Sequence, residues 1–145
     1  MRKILYAFII LTMLLGCVQK PLVDNENIKI IVASDIHYFL KDYYKDCEWF
    51  EENMLYGDGK MVTYADEILD VFIQTIKEIK PNLVILTGDL SFNGEKGSHE
   101  ALAKKLSVLK DDHIDVAVIP GNHDVDYIYA KGYGKEDYFD VDNVN

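Results

Sequence analysis

Three short apolar runs, each closed by a polar or glycine-bearing stretch, constrain this chain more than any other feature. Ile28-Lys29-Ile30-Ile31-Val32-Ala33 ends in Ser34-Asp35-Ile36-His37. Leu83-Val84-Ile85-Leu86 ends in Thr87-Gly88-Asp89, and Val116-Ala117-Val118-Ile119 ends in Pro120-Gly121-Asn122-His123-Asp124. Almost continuously apolar, β-branched runs of this length read as strands buried on both faces of a parallel sheet. Between the first two runs, Met61, Tyr64, Ala65, Ile68, Leu69, Phe72, Ile76 and Ile79 recur every three or four residues, a helical stripe that stops at Pro81. A second helix is predicted over 98–110, with Ser98 as N-cap, Leu102, Leu106 and Leu109 on one face, and Lys110 near its end. The order β-α-β-α-β calls for an α/β fold of parallel strands joined by right-handed crossovers. In such a sheet the carboxyl ends of the strands face one crevice, where ligands bind. The three polar segments are therefore expected to meet there.

Composition narrows the function classes. A chain of 145 residues builds one compact domain rather than two. Its net charge of −10, with Arg2-Lys3 as the basic cluster at the very start, lacks the electrostatic footprint of a nucleic-acid binder. Two cysteines exclude a disulfide scaffold and a Cys-rich zinc module. Dinucleotide-binding and P-loop fingerprints are absent, and Ser91 lacks the Gly-x-Ser-x-Gly elbow of a serine esterase.

The N-terminus reads as an address. Arg2-Lys3 precedes an apolar run from Ile4 to Gly16, a charged region followed by a core of signal-peptide length. The run is shorter than the ~20 residues that a membrane-spanning helix needs. Its end, Leu14-Leu15-Gly16-Cys17, resembles the lipobox of bacterial lipoproteins, in which the cysteine becomes the lipidated first residue. The expected organisation is a signal peptide over 1–16, a lipidated Cys17 with a polar tether over 17–27, and a globular α/β part over 28–145. An uncleaved anchor, or an ordinary signal peptide with an incidental Cys17, are the alternatives. The resemblance implies an extracytoplasmic protein held to the bacterial membrane, with Cys47 left as a buried, inert thiol; a Cys17–Cys47 disulfide would require an unlipidated Cys17.

At the expected crevice stand Asp35, His37, Asp89, Asn122, His123 and Asp124. Carboxylates, imidazole and an amide oxygen, with no thiolate, suit divalent Mn, Fe or Zn. Asp35 and His37 lie two apart, so on an extended strand end both point the same way and can hold one ion. Asp89 can bridge to a second ion, to which Asn122 can offer a neutral oxygen. Two ions about 3.5–4 Å apart clamp a phosphoryl group and generate hydroxide near neutral pH. Each segment alone is weak, since Gly-Asp and Gly-Asn are ordinary turn dipeptides. The specificity lies in three of them, each closing an apolar strand.

Asp35-Ile36-His37, Gly88-Asp89-Leu90-Ser91-Phe92-Asn93-Gly94 and Gly121-Asn122-His123-Asp124 together resemble the first three motifs of the calcineurin-like metallophosphoesterases. The resemblance implies a partial metallophosphoesterase sandwich and a metal-dependent phosphoric-ester hydrolase, either phosphodiesterase or phosphatase. It also implies that Asp35, His37 and Asp89 ligate one metal while Asp89 and Asn122 ligate the other. His123 would protonate the leaving oxygen as general acid, with Asp124 orienting its imidazole, while hydroxide activated by the two metals attacks phosphorus. The family carries further His ligands in its second half, one after another strand and two in a Gly-His-x-His segment, and no His follows His123 here. His99 and His113, flanking the second helix, are expected to be solvated surface histidines away from the strand ends. The chain is thus expected to correspond to the N-terminal half of such an enzyme. Residues 18–145 alone should have poor solubility, weak metal affinity and little turnover, with a sheet edge and apolar faces for the missing half to cover. A non-catalytic surface lipoprotein, or a decayed fragment of such an enzyme, is the alternative.

The substrate implied is a small phosphoester, a nucleotide among the candidates. Residues 38–59 concentrate Tyr38, Phe39, Tyr43, Tyr44, Trp49, Phe50 and Tyr56 at the catalytic edge. These rings either stack on the organic part of the substrate or form a small packed helix over the sheet. Asn93 either touches substrate phosphate or caps its own loop. A second aromatic group, Tyr127 to Phe139, follows the last motif without an assigned place.

Overall fold

The computed structural model describes residues 27–56, 60–126 and 128–144. The expected signal peptide, Cys17 and nearly all of the tether lie outside the described residues. Five strands and three α-helices follow in order: β1 (Ile30–Ala33), α1 (Glu48–Tyr56), α2 (Ala65–Ile79), β2 (Leu83–Thr87), α3 (Lys96–Leu106), β3 (Asp115–Ile119), β4 (Lys131–Tyr133) and β5 (Tyr138–Asp140). No described helix is long and apolar enough to cross a membrane.

The parallel sheet runs β1-β2-β3, with Val32 opposite Ile85 and Ile85 opposite Ala117. It bears out the α/β order read from the sequence. Its burial differs from the expectation. Val84 and Leu86 face a core built from Leu69, Ile73 and Ile76 of α2 and Leu102 and Leu106 of α3. On the opposite face Ile30 and Val32 stand exposed, Val32 at 63 %. The strands are therefore not buried on both sides. The strand order never reverses, so successive crossovers of one hand lay both helices on the same face. β1 also begins at Ile30 rather than Ile28.

In α2 the buried residues Ala65, Leu69, Ile73 and Ile76 step by three or four, as an amphipathic helix requires. The wider stripe read from the sequence overreaches. Met61, Tyr64 and Ile68 remain exposed beside the β1 edge, where no further strand of the described chain lies beneath them. Lys80 closes the helix in a left-handed conformation, its N–H on the Ile76 carbonyl, just before Pro81. The second helix begins at Lys96, so Ser98 is not its N-cap. Ser98 is buried in the first turn, and its Oγ accepts the Leu40 N–H at 3.1 Å. The expected helix also tightens into a 3₁₀ stretch over Ser107–Asp112, after which His113 sits exposed, as anticipated.

The aromatic segment forms a satellite core. Phe39, Tyr44, Cys47, Phe50, Val62 and Phe92 are buried together, and the Phe39 ring lies 5.0 Å from that of Phe92. This settles the alternative for Phe39, Tyr44 and Phe50 in favour of packing, because a ring buried among rings has no face left for a substrate, and Tyr38 is buried in the main core with its hydroxyl on Asp66. Cys47 is a buried free thiol within this cluster. The β4–β5 hairpin, which the sequence reading did not place, sends Tyr133 to 4.4 Å from the Phe50 ring.

Candidate metal centre

β1 and β2 keep pairing after their regular hydrogen bonds end. Asp35 N donates to Gly88 O, His37 N to Asp89 O and Tyr38 N to Leu90 O, while Phe92 N returns to Tyr38 O. The first and second motifs are thus zipped side by side. Asp35, His37 and Asp89 all adopt left-handed backbone, with φ of 56°, 44° and 48°. Asp and His tolerate this region better than most residues, yet three so close together mark a constrained turn cluster. Asp35 and His37 converge, but not for the reason the spacing suggested: the strand ends at Ala33, and left-handed turns rather than strand alternation aim both side chains.

The result is compact. One ligand atom from each of Asp35, His37 and Asp89 lies within 4.8 Å of the others. His37 Nε2 stands 3.9 Å from Asp35 Oδ1 and 3.7 Å from Asp89 Oδ2. These gaps exceed hydrogen-bond range. Two atoms each about 2.0–2.2 Å from one ion are separated by up to about 4.4 Å, so the observed gaps fit a shared cation. Burial pushes the His37 imidazole below its usual value, helped by the Lys60 and His123 charges and opposed by Asp89 and Asp35. That favours the neutral ring, which is the ligating form. The donor set and spacing fit a divalent cation.

The third motif meets the second through two glycines. A Cβ on Gly121 would overlap the Asp89 amide nitrogen and carboxylate, and one on Gly88 would stand 2.9 Å from Gly121 Cα. His123 N donates to Asp89 Oδ1 at 3.2 Å. Asn122, exposed, occupies the turn between these two contacts with Asp89. The His123 ring lies edge-on to that of His37, 5.0 Å between centroids.

Asp124 takes a post different from the one the resemblance implied. It is fully buried, and its carboxylate accepts the N–H groups of Leu90, Ser91 and Gly121 and the Ser91 hydroxyl, at 2.7–3.1 Å. It is a knot between the second and third motifs. The His123 ring is oriented elsewhere, with Nδ1 at 2.8 Å from the Phe92 carbonyl and 3.1 Å from Asn93 Oδ1. A carbonyl only accepts, so Nδ1 carries a proton and Nε2 is the nitrogen through which the ring can act. Asn93 is thereby placed with its side-chain oxygen against the imidazole.

His99 corrects the sequence reading. Its Nε2 donates to the Asp124 carbonyl at 3.1 Å, so it braces the third motif rather than standing solvated away from the strand ends. The expectation failed because α3 starts two residues early and directs its first turn toward the motifs. Glu95, buried under the second motif, was missed altogether. Nothing in its spacing marks it; only the unbroken burial from Leu90 to Glu95 does.

Comparison with known proteins agrees with this geometry. The family profile of the calcineurin-like phosphoesterases matches residues 28–145. The chain belongs to this family. A curated relative, described as a probable cyclic nucleotide phosphodiesterase of Moraxella catarrhalis (strain BBH18), is 31 % identical over 102 residues. The match takes in 70 % of this chain and 29 % of that relative. Calcineurin-like phosphoesterases are metal-dependent hydrolases, and in keeping with the family the ligand atoms of Asp35, His37 and Asp89 stand close enough together to share one metal ion.

Proposed function

We propose that the whole protein is a phosphodiesterase of small phosphodiesters, with nucleotides the leading class, and that residues 28–145 supply the first three motifs of its site. The observation that carries this reading is the convergence of Asp35, His37 and Asp89 on one point beside the His123 ring. Asp35, His37 and Asp89 would hold the first of two divalent ions, Mn, Fe or Zn, and Asp89 with Asn122 the second. When bound, such ions neutralise phosphoryl oxygens and activate water near neutral pH. His123, with Nδ1–H fixed by Phe92 and Asn93, would in its doubly protonated form give the Nε2 proton to the leaving oxygen and return to the neutral Nδ1–H ring. Asp124 holds the second and third motifs in register, so that Asp89 and His123 keep their spacing. A cavity of about 520 Å³ opens beside Asp35 and His37, lined also by Lys60, Met61, Ile68 and Phe72. It is our candidate for the organic part of the substrate. The relative's printed description supports the diester over the monoester.

The N-terminal address is part of the same proposal: residues 1–16 direct export and Cys17 carries the lipid. Metabolic labelling with a radioactive fatty acid, lost in Cys17→Ser, tests it. The rest of the domain, beyond these three motifs, would supply the remaining ligands and cover the open face of the sheet, so residues 28–145 alone should turn over little. The decisive assay is Mn²⁺-dependent hydrolysis of bis(p-nitrophenyl) phosphate by the full-length gene product. Asp89→Asn should abolish it; hydrolysis that survives both Asp89→Asn and metal removal would refute the reading.

A further inference from the structure

Glu95 is fully buried, six residues beyond Asp89, and lies outside the triad. Its Oε2 accepts the Asn93 N–H at 3.0 Å, and its Oε1 is buried without a hydrogen-bond partner. The Asn93 that it holds is the residue whose Oδ1 meets His123 Nδ1, next to the Phe92 whose carbonyl meets the same nitrogen. The backbone around Glu95 is clamped from the other side, with Lys96 N on Asp142 O and Val144 N on Gly94 O. With the outer side of the loop tied down in this way, the inner side of the turn is held by the buried carboxyl on the Asn93 N–H and by the Ser91 hydroxyl on the Gly94 N–H at 2.9 Å.

We infer that Glu95 is a positioning residue for His123: by holding the Asn93 N–H it sets the Phe92–Asn93 turn, and with it the two oxygens that fix the imidazole. This rests on the reading in which His123 handles the proton, and it adds the residue that determines how that ring stands. Asp124, Asn93, Ser98, Tyr43 and Tyr133 face the carboxyl, and burial pushes it up to about 7. A glutamine, neutral and of the same length, is therefore a close mimic of its protonated form.

The test is ¹⁵N NMR of histidine-labelled, Zn²⁺-loaded full-length protein, reading tautomer and Nδ1 proton exchange of His123. At a pH where the ring is neutral, native His123 should show a single Nδ1–H tautomer. Glu95→Ala should mix the tautomers and speed Nδ1 exchange about tenfold, as expected when one supporting hydrogen bond is lost. Glu95→Gln should restore the native signals, whereas Glu95→Asp, one methylene too short, should not. Zn²⁺ affinity should stay within about threefold throughout, because Glu95 is not among the candidate ligands. If Glu95→Ala fails to fold, the contrast between Gln and Asp decides alone. Native His123 signals in Glu95→Ala, or in Glu95→Asp, would overturn the inference, as would a glutamine variant in which the tautomers are as mixed as in the shortened ones. Native signals in an enzyme without hydrolase activity would instead count against the proposed function.

Discussion

Asp124 and Glu95 are both fully buried carboxyls, and their surroundings drive them in opposite directions. For Asp124, burial alone would raise the carboxyl, but the N–H groups of Gly121, Ser91 and Leu90 and the Ser91 hydroxyl hold it below the usual range. A depressed folded value contributes stability that is present above the unfolded value of about 3.9 and is lost as pH falls through the folded one. Asp124→Asn should cost about 3 kcal/mol in urea denaturation at neutral pH, since its amide NH₂ would face N–H donors. For Glu95 the sign reverses. Burial pushes it from 4.5 up to about 7, so its contribution is fully present below about 4.5 and is lost as pH rises through 7. Glu95→Gln should match the native protein at pH 4 and exceed its stability at pH 8 by about 3 kcal/mol. Denaturation curves at both pH values check this, and a gap that fails to widen would contradict an ionised Glu95 in the fold.

At the level of elements, the turns after β2 and β3 decide whether the triad exists. Gly88, at φ 101°, and Gly121 let two backbones touch, so that the third motif lies directly on Asp89. Gly121→Ala should push Asp89 aside and lower Zn²⁺ or Mn²⁺ affinity about tenfold or more in calorimetric titration, with the far-UV spectrum unchanged. These turns were legible as glycine punctuation at strand ends, as were β2, β3 and the Leu69–Ile76 stripe, because periodicity and strand-end chemistry are local signals. The left-handed posture of Asp35 and His37 was not, since it comes from pairing with Gly88 and Asp89 some fifty residues away. His99 and Glu95 were hidden for a similar reason. Their roles depend on the early start of α3 and on partners in the third motif or the far loop, which no spacing within 95–99 encodes. The β4–β5 hairpin escaped because three-residue strands lack a readable period.

On the scale of the whole molecule, two terms compete over the open face of the sheet. Ile30, Val32 and Ile119 stand 51, 63 and 56 % exposed there, and together they form a stripe that the helices do not reach. Fully burying one such side chain is worth about 1.5–3 kcal/mol, so pairing two faces offers several kcal/mol per copy. Against this stands a net charge of −11 over residues 28–145, which repels a second copy. The repulsion acts over a Debye length of about 8 Å at physiological salt and about 3 Å at 1 M, whereas apolar burial is not screened. Residues 28–145 should therefore associate more strongly as salt rises, the reverse of an ion-pair interface. Val32→Lys with Ile119→Lys should suppress that association without lowering metal affinity, because neither residue belongs to the triad. Sedimentation velocity across a salt series checks the direction. Weaker association at high salt, or association untouched by the two lysines, would mean that charged side chains and not the bare sheet face draw the copies together.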